Sequence, residues 1–597
     1  MTVNTHVKQW WKHAAVYQIY PASFCDSNGD GVGDLQGIIS KLDYIADLGI
    51  NVIWICPMYD SPQVDMGYDI ANYEDVYAPY GTLQDMEVLI RETHARGMRI
   101  MLDLVINHTS DQHSWFKESR SSKDNPKRDW YIWRPAKYST DGQRQPPNNW
   151  RCNFGGGSVW EWDEATGEYY LHLFAREQPD LNWENPATRR AIYASAMEFW
   201  LDKGVDGFRV DTVNMYSKPQ DFPDAPITDS MATYQPAGPL YCNGPRMHEF
   251  LAEMNEILSR YGAITVGELP LTPDLARVLR YVSAEEKQLN MVFQFDVVDL
   301  GFGKTHRYET TPKNFTLPEL KDAVGRTQNL IHGTDAWTTV FMENHDQARS
   351  VSRFTDDSPQ HRVAGAKLLA LMQTCLSGTQ FIYQGQEIGS VNAPKATYPA
   401  ENYLDLNSYL FLDMIKERFG AENEKAIDEA FTALQYLARD HARIPMCWSD
   451  GQFGGFSEGA EKSGKPVKEP WMKTHPLAKE INVASQLNDP QSVLQFWKKM
   501  LRFRQEFADL LIYGDYKVLR PEEPEIFTFI KESPLGGAKA LVVLNFTSKD
   551  RTWSVPDEKE LGINNGQGVK LIPTMSTHPG RDGEELSAFE GRVYLVT

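Results

Sequence analysis

The chain has 597 residues, 41% apolar and 24% charged, and its 60 Lys and Arg against 81 Asp and Glu give a net charge of −21. With 16 Trp, 27 Tyr and 27 Phe it carries too much buriable aromatic surface for a solvated, disordered chain. The acidic excess repels phosphate backbones and anionic lipid, which excludes nucleic acid and membrane surfaces as main partners and favours a small, neutral, polar ligand.

In chain order, eight short apolar, β-branched runs stand out at 15–21, 50–57, 99–108, 205–211, 263–268, 290–296, 338–346 and 379–387. Each ends in polar residues, and helical patterning separates them, for instance at 34–48 and 82–96. Parallel strands buried on both faces read this way, and eight strand-helix alternations predict a (β/α)8 barrel. Residues 109–177 are polar and rich in Trp, Gly and Asn, so they are expected to form an inserted subdomain after the third strand. The barrel is expected to span 1–108 and 178–514. The acidic 400–430 stretch reads as an exposed helical excursion after the eighth strand. From 515 to 597, the runs IFTFIKE, AKALVVLNFT and RVYLVT are separated by turn chemistry without helices, which predicts a C-terminal antiparallel β-sandwich domain. No apolar run reaches the ~18 residues of a membrane span, and the first twenty residues lack the apolar stretch of a secretory leader. The six scattered cysteines form no CxxC pair and read as reduced thiols, so the expected location is the cytoplasm.

Active sites of such barrels lie at the C-terminal strand ends. There the chain carries Asp103 to His108, Gly207 to Asp211, Val266 to Glu268 and Glu343 to Asp346. A single carboxylate at a strand end commonly caps a helix or pairs with Arg. Three converging from strands four, five and seven require a proton or a cation among them, and Arg209, on the same strand face as Asp211, supplies the cation. Such a cluster suits retaining glycoside cleavage, in which one carboxylate attacks and one carboxylic acid protonates the leaving oxygen, about 5 to 5.5 Å apart. Arg209 is expected to lower the pKa of Asp211, making it the nucleophile, while crowding raises that of Glu268, the acid/base. His108 and His345 are placed to donate to sugar hydroxyls.

The motifs DLVINH, QPDLN, GFRVD, VGE and ENHDQAR occur in that order, flanked by VYQIYPASF, SPQVDMGYDIANY, FIYQGQEIG and RDHARIPMCW. On them the whole chain resembles the α-glucosidases of the α-amylase superfamily, glycoside hydrolase family 13, of the fungal maltase and isomaltase type. The resemblance implies Asp211 as nucleophile, Glu268 as general acid/base and Asp346 as the carboxylate that stabilises the transition state. It implies a non-reducing glucose pocket made by Asp69, Tyr73 or its neighbour, His108, Phe174, Arg209, His345 and Arg443. It also implies an exo action on terminal α-glucosides. Thr212, following the nucleophile, points to α-1,4 bonds of maltose-like substrates and extends to sucrose. The next residues, Val213 and Asn214, resemble α-1,6 enzymes instead. A transglucosylase on the same scaffold is an alternative. Sucrose isomerases of the family carry an Arg-rich loop near the sixth strand, which here reads Thr305-His306-Arg307-Tyr308-Glu309 and lacks the motif. A non-catalytic scaffold subunit is disfavoured, since all three acids are retained.

Within DSNGDGVGD, oxygen donors alternate at Asp26, Asn28, Asp30, the Val32 carbonyl and Asp34. The twelfth position is Gly37 where an EF-hand has Glu, so the segment is no EF-hand. The family places a structural calcium ion there, with Mg2+ as a substitute, and no organic cofactor is expected. The protein is expected to be a monomer or weak homo-oligomer.

Overall fold

The computed structural model describes residues 7–303, 307–308, 314–464, 466–534, 536–563, 568–578, 580 and 583–596. The eight apolar runs form parallel strands β1 (Ala15–Ile19), β2 (Val52–Ile55), β3 (Arg99–Leu104), β4 (Gly207–Val210), β5 (Ile264–Glu268), β6 (Met291–Phe293), β7 (Thr339–Val340) and β8 (Thr379–Tyr383). They lie in the order β6-β5-β4-β3-β2-β1-β8-β7. Side-chain hydroxyls join the two ends of this sheet: Thr339 Oγ1 donates to the Val292 carbonyl at 3.1 Å and Thr338 Oγ1 to Gln294 Oε1 at 2.8 Å. The helices between them pack apolar faces on the sheet, and the one at Arg362–Cys375 is buried on all sides from Leu368 to its end. Of these, α1 (Leu83–Ala95) starts at a Thr82–Asp85 capping box, in which each side chain satisfies the other residue's amide.

All eight strands are shorter than their apolar runs, and two of the differences bear on the site. β3 stops at Leu104, and β7 takes only two residues of 338–346. After Leu104 the backbone leaves the ladder for the returning insertion: Leu181 N donates to Asn107 O at 2.9 Å, Thr109 N to Pro179 O at 3.2 Å, and His108 bridges to Asp180. In the stretch 109–177 a three-stranded antiparallel sheet joins Trp133–Arg134, Glu168–Leu171 and Trp160–Asp163. Its apolar face, with Trp150, Trp160 and Leu171, packs on Met215 and Phe222 from the segment after β4.

The acidic stretch is less exposed than its charge suggests. After α2 (Arg362–Cys375) and β8, helices α3 (Leu406–Phe419) and α4 (Glu424–Leu437) bury Phe411 and Ile415 together with Ala430 and Leu434. The C-terminal sheet runs β9 (Asp515–Leu519), β10 (Ile526–Glu532), β11 (Lys539–Asn545), β12 (Leu571–Ser576) and β13 (Gly591–Val596), in the order β9-β10-β11-β13-β12. β11 is apolar from Ala540 to Leu544 because both faces are covered. Ala540, Val542 and Leu544 join the barrel's core, while Leu541 and Val543 meet Trp553 and Leu586 on the outer side. One helical turn, Glu558–Leu561, capped by Asp557, interrupts a tail that reads as helix-free. The six cysteines are free thiols, five of them buried. Among the described residues no helix is long and apolar enough to cross a membrane.

Candidate active site

β4 sets the centre of the site. Strand alternation turns Arg209 and Asp211 inward and Phe208 and Val210 outward. β4 lies so close to β5 that a Cβ at Gly207 would stand 2.1 Å from the Ile264 carbonyl, so only glycine fits there. Arg209 pairs in register with Asp103 of β3, and its fully buried guanidinium serves three carboxylates. Nη1 meets Asp103 Oδ1 at 2.7 Å and Asp211 Oδ1 at 2.5 Å, and Nη2 meets Glu268 Oε2 at 2.8 Å. Thr212 ties the two acids from the other side: its N–H donates to Glu268 Oε2 at 3.0 Å and its hydroxyl to Asp211 Oδ2 at 3.2 Å. To do so Thr212 adopts φ +39°, a strained conformation for a β-branched residue.

Burial is the largest influence on Asp211, and although Arg209 pulls its carboxyl down as the sequence reading expects, it does not win. Burial, reinforced by Asp103, outweighs Arg209 and raises the Asp211 carboxyl to about 6. Burial raises Glu268 further, to about 7, with Asp211 and Asp346 adding to it against Arg209. The order of the two pKa values is the expected one, but the separation comes from burial and crowding rather than from Arg209. Asp346 behaves differently. Against the upward pull of burial, His345, Arg439 and Arg443 hold it well below the usual carboxylate range.

Asp346 Oδ1 accepts from Arg439 Nη1 at 3.0 Å and Arg443 Nη2 at 2.8 Å. Arg439 Nη2 continues to Asp65 Oδ1 at 2.9 Å, and Asp405 receives Arg439 Nε at 2.8 Å and Arg443 Nη1 at 2.7 Å. These five residues make a charged wall at one end of the site. Here the structure corrects two assignments. Asp69 faces the underside of its own turn, accepting from Val64 N at 3.0 Å, Asp65 N at 3.1 Å and Ser61 Oγ at 3.1 Å. Tyr73 points behind β3, its hydroxyl donating to Val105 O at 2.8 Å. Asp65 and Tyr68 stand in their places. Tyr68 lies parallel to the His345 ring at 5.1 Å and donates to Asp103 Oδ2 at 3.0 Å. The turn carries positive φ at Gln63, Met66 and Gly67, which breaks any alternation, so spacing gives no means of choosing Asp65 over Asp69.

The remaining expected residues gather at the pocket. His345 lies behind Asp346, its Nε2 3.6 Å from Asp346 Oδ2, and Gln18 Nε2 lies 2.8 Å from its Nδ1. Burial lowers His345 to about 3 and lowers His108 as well, so both are neutral at ordinary pH. Nε2 of His108 lies 3.0 Å from the Tyr68 carbonyl, and its ring packs 5.2 Å from Phe174, which in turn sits 5.7 Å from Phe154. Gln178 of QPDLN donates to Asp65 Oδ2 at 3.1 Å, tying the insertion's return to the wall. Of the segment 305–309, Arg307 and Tyr308 are described and the others lie outside the described residues; Arg307 donates to the Asp346 carbonyl.

The 26–34 loop offers only oxygen donors, which suits a hard cation. Its side chains are engaged with the loop's own amides. Asp26 Oδ1 accepts from Asn28 N and Gly29 N, its Oδ2 from Gly31 N and Ser457 Oγ, Asn28 Oδ1 from Asp30 N, Asp30 Oδ1 from Val32 N, and Asp34 from Ser27 N and Gly37 N. Among the described residues no three His, Cys, Asp or Glu side chains converge closely enough to hold a metal ion. The loop's oxygens would thus be shared between its own amides and any ion it held, and no chemical step is routed through one.

Residues 18–514 match the family model described as alpha amylase, catalytic domain. The chain is 51% identical to an alpha-glucosidase of Candida albicans over 590 residues, 98% of this chain and 99% of that one. It is 45% identical to oligo-1,6-glucosidase IMA2 of Saccharomyces cerevisiae over 98% of both. Among solved structures, trehalulose synthase MutB superposes with a TM-score of 0.87 at 38% identity, covering 98% of this chain and 100% of that one. With the barrel, the C-terminal β-domain and a carboxylate cluster at the ends of β4, β5 and β7, the chain belongs to the α-amylase family of glycoside hydrolases, glycoside hydrolase family 13.

Proposed function

We propose that the protein is a retaining, exo-acting α-glucosidase that releases glucose from the non-reducing ends of α-1,4-linked, maltose-like substrates. The observation that carries this reading is the Arg209 fork. Two carboxylates seated on the two terminal nitrogens of one guanidinium stand a few ångströms apart. This fits the spacing of about 5 to 5.5 Å in retaining enzymes better than the ~6.5 to 9.5 Å that leaves room for water in inverting ones.

In the first step Asp211 Oδ2, which accepts from the Thr212 hydroxyl, attacks the anomeric carbon while protonated Glu268 gives its proton to the departing glycosidic oxygen. Glucose is left as an ester on Asp211 and Glu268 as a carboxylate. In the second step Glu268 takes a proton from water as that water displaces Asp211, which restores both groups. Asp346, kept ionised by its arginines, faces the positive charge that develops on the ring. Neutral His108 and His345 serve as hydrogen-bond partners of sugar hydroxyls, and the wall from Asp65 to Asp346 closes one end, so a single glucose unit fits beyond the scissile bond.

Thr212 supports the α-1,4 preference, and the name of the Candida relative agrees with an α-glucosidase. Val213 and Asn214, with the relatives named oligo-1,6-glucosidase, favour α-1,6 as the second reading. A cytoplasmic location, with six free thiols, a monomeric or weakly associated state and a structural Ca2+ in the 26–34 loop belong to the same proposal. The test is turnover on maltose, isomaltose, sucrose, trehalose and nigerose, with the product anomer followed by NMR. We expect maltose to be preferred and α-glucose to appear first. Initial β-glucose would end the retaining mechanism, preference for isomaltose would move the linkage to α-1,6, and a majority yield of new oligosaccharides would make the protein a transglucosylase.

A further inference from the structure

The helical excursion after β8 enters the pocket through Asp405. This fully buried residue stands at the N-terminus of α3 and caps it, its Oδ1 accepting from Asn407 N at 3.0 Å. The same carboxylate holds both arginines of the wall, Arg439 through Nε at 2.8 Å and Arg443 through Nη1 at 2.7 Å. Each arginine uses a different nitrogen for Asp346. Asp405 is itself fixed from behind: Asp440 Oδ1 accepts its backbone N–H at 2.9 Å, and Asp440 Oδ2 accepts from Ser408 Oγ, on α3, at 2.5 Å. The first turn of α3 and the two guanidiniums are thus joined through short contacts of buried groups. Asp65, Asp346 and Asp405 face Arg439 and Arg443, and Arg307 donates to the backbone carbonyl of Asp346 and adds its positive charge nearby.

Resting on the glycosidase reading above, we infer that Asp405 is a positioning residue: through Arg439 and Arg443 it transmits the placement of α3 to Asp346 and Asp65, making the helical hairpin part of the catalytic apparatus rather than an ornament of the barrel. The charge and the helix cap can be separated. Asn caps a helix as well as Asp does, so Asp405→Asn keeps the cap and removes the charge. It is expected to lower kcat roughly 10- to 100-fold, as misplaced catalytic groups do, with a smaller change in KM and a cooperative thermal transition retained. Asn423, whose Oδ1 caps α4 by accepting from Ala426 N at 3.2 Å, supplies the opposite case. Asn423→Ala is expected to lower Tm and leave kcat unchanged. Where Asp405→Asn is too unstable to assay, Asp405→Glu and Asp405→Gln differ in charge on the same longer arm, and the Glu variant is expected to exceed the Gln variant about tenfold or more in kcat. Wild-type kcat in Asp405→Asn, equal kcat in the Glu and Gln pair, or a loss of kcat in Asn423→Ala as large as in Asp405→Asn would each overturn the inference. The wild type is assayed on the α-glucoside panel in the same series. No turnover there ends the glycosidase reading, whereas wild-type turnover with an unaffected Asp405→Asn ends only the role of Asp405.

Discussion

Two carboxylates on one guanidinium share its positive charge, and which of them keeps a proton is decided by the rest of their surroundings. Glu268 is crowded by Asp211 and Asp346 in addition to being buried, and stands at about 7; Asp211 stands at about 6. In the free enzyme Asp211 must be ionised to attack and Glu268 protonated to assist departure. kcat/KM for a disaccharide is therefore expected to rise as pH passes about 6 and to fall as it passes about 7. Asp346 contributes no limb near neutrality, since Arg439 and Arg443 keep it ionised against burial even where His345 is neutral. Glu268→Gln removes the group behind the alkaline limb. It should cost roughly 100- to 10,000-fold on maltose and much less on a p-nitrophenyl glucoside, whose leaving group needs little protonation, with a flat alkaline side. An alkaline fall that persists in Glu268→Gln would show that another group carries the proton.

At the scale of the element, legibility followed burial. The barrel strands were readable because a strand covered on both faces is largely apolar, as in VIWI of β2 and MVF of β6, and Asp211 and Glu268 were readable because each closes such a run. Asp65 and Tyr68 were not, because the turn that presents them has no period, and Asp405 and Arg439 were not, because their partners lie far away in the chain. The 26–34 loop is the element whose reading is least fixed by pattern: alternate oxygen donors suit a calcium ion, yet the same oxygens cap the loop's own amides. The proposal of a structural ion makes a direct prediction. Exhaustive chelation should lower Tm, and added Ca2+ should restore it by mass action, since an ion that binds only the folded chain stabilises it in proportion to its occupancy. A Tm unmoved by chelator would leave the loop as a turn held by amides alone.

At the scale of the molecule, the barrel and the C-terminal sheet are joined by cations set against carbonyls. Lys321 from the barrel donates to Arg520 O at 3.1 Å and Glu523 O at 2.6 Å beyond β9, and beneath the junction, within the barrel, Arg504 donates to Thr374 O at 2.6 Å and Leu376 O at 2.7 Å at the end of α2. Lys531 of β10 is fully buried at this junction, bonded to Ser377 Oγ and to Gly514 O. Among the described residues no carboxylate pairs with it directly; burial, together with repulsion from Arg504, lowers its pKa to about 7 from the usual 10.5, and Asp515 only partly offsets this. The unfolded chain would hold the Lys531 proton up to about 10.5 while the folded chain releases it near 7, so between these values unfolding takes up a proton and this residue makes stability rise with pH. Below about 7 the ammonium is carried in both states and the cost of burying it is borne in full. Lys531→Met removes the titrating group while keeping most of the side-chain length. Its Tm is therefore expected to climb less than that of the wild type between pH 7 and pH 9. The measurement is the difference between two melting series in matched buffers, which cancels the other groups that titrate in this range. Parallel curves would mean that Lys531 keeps its proton in the folded molecule and that its bonds to Ser377 and Gly514 are those of an ammonium throughout.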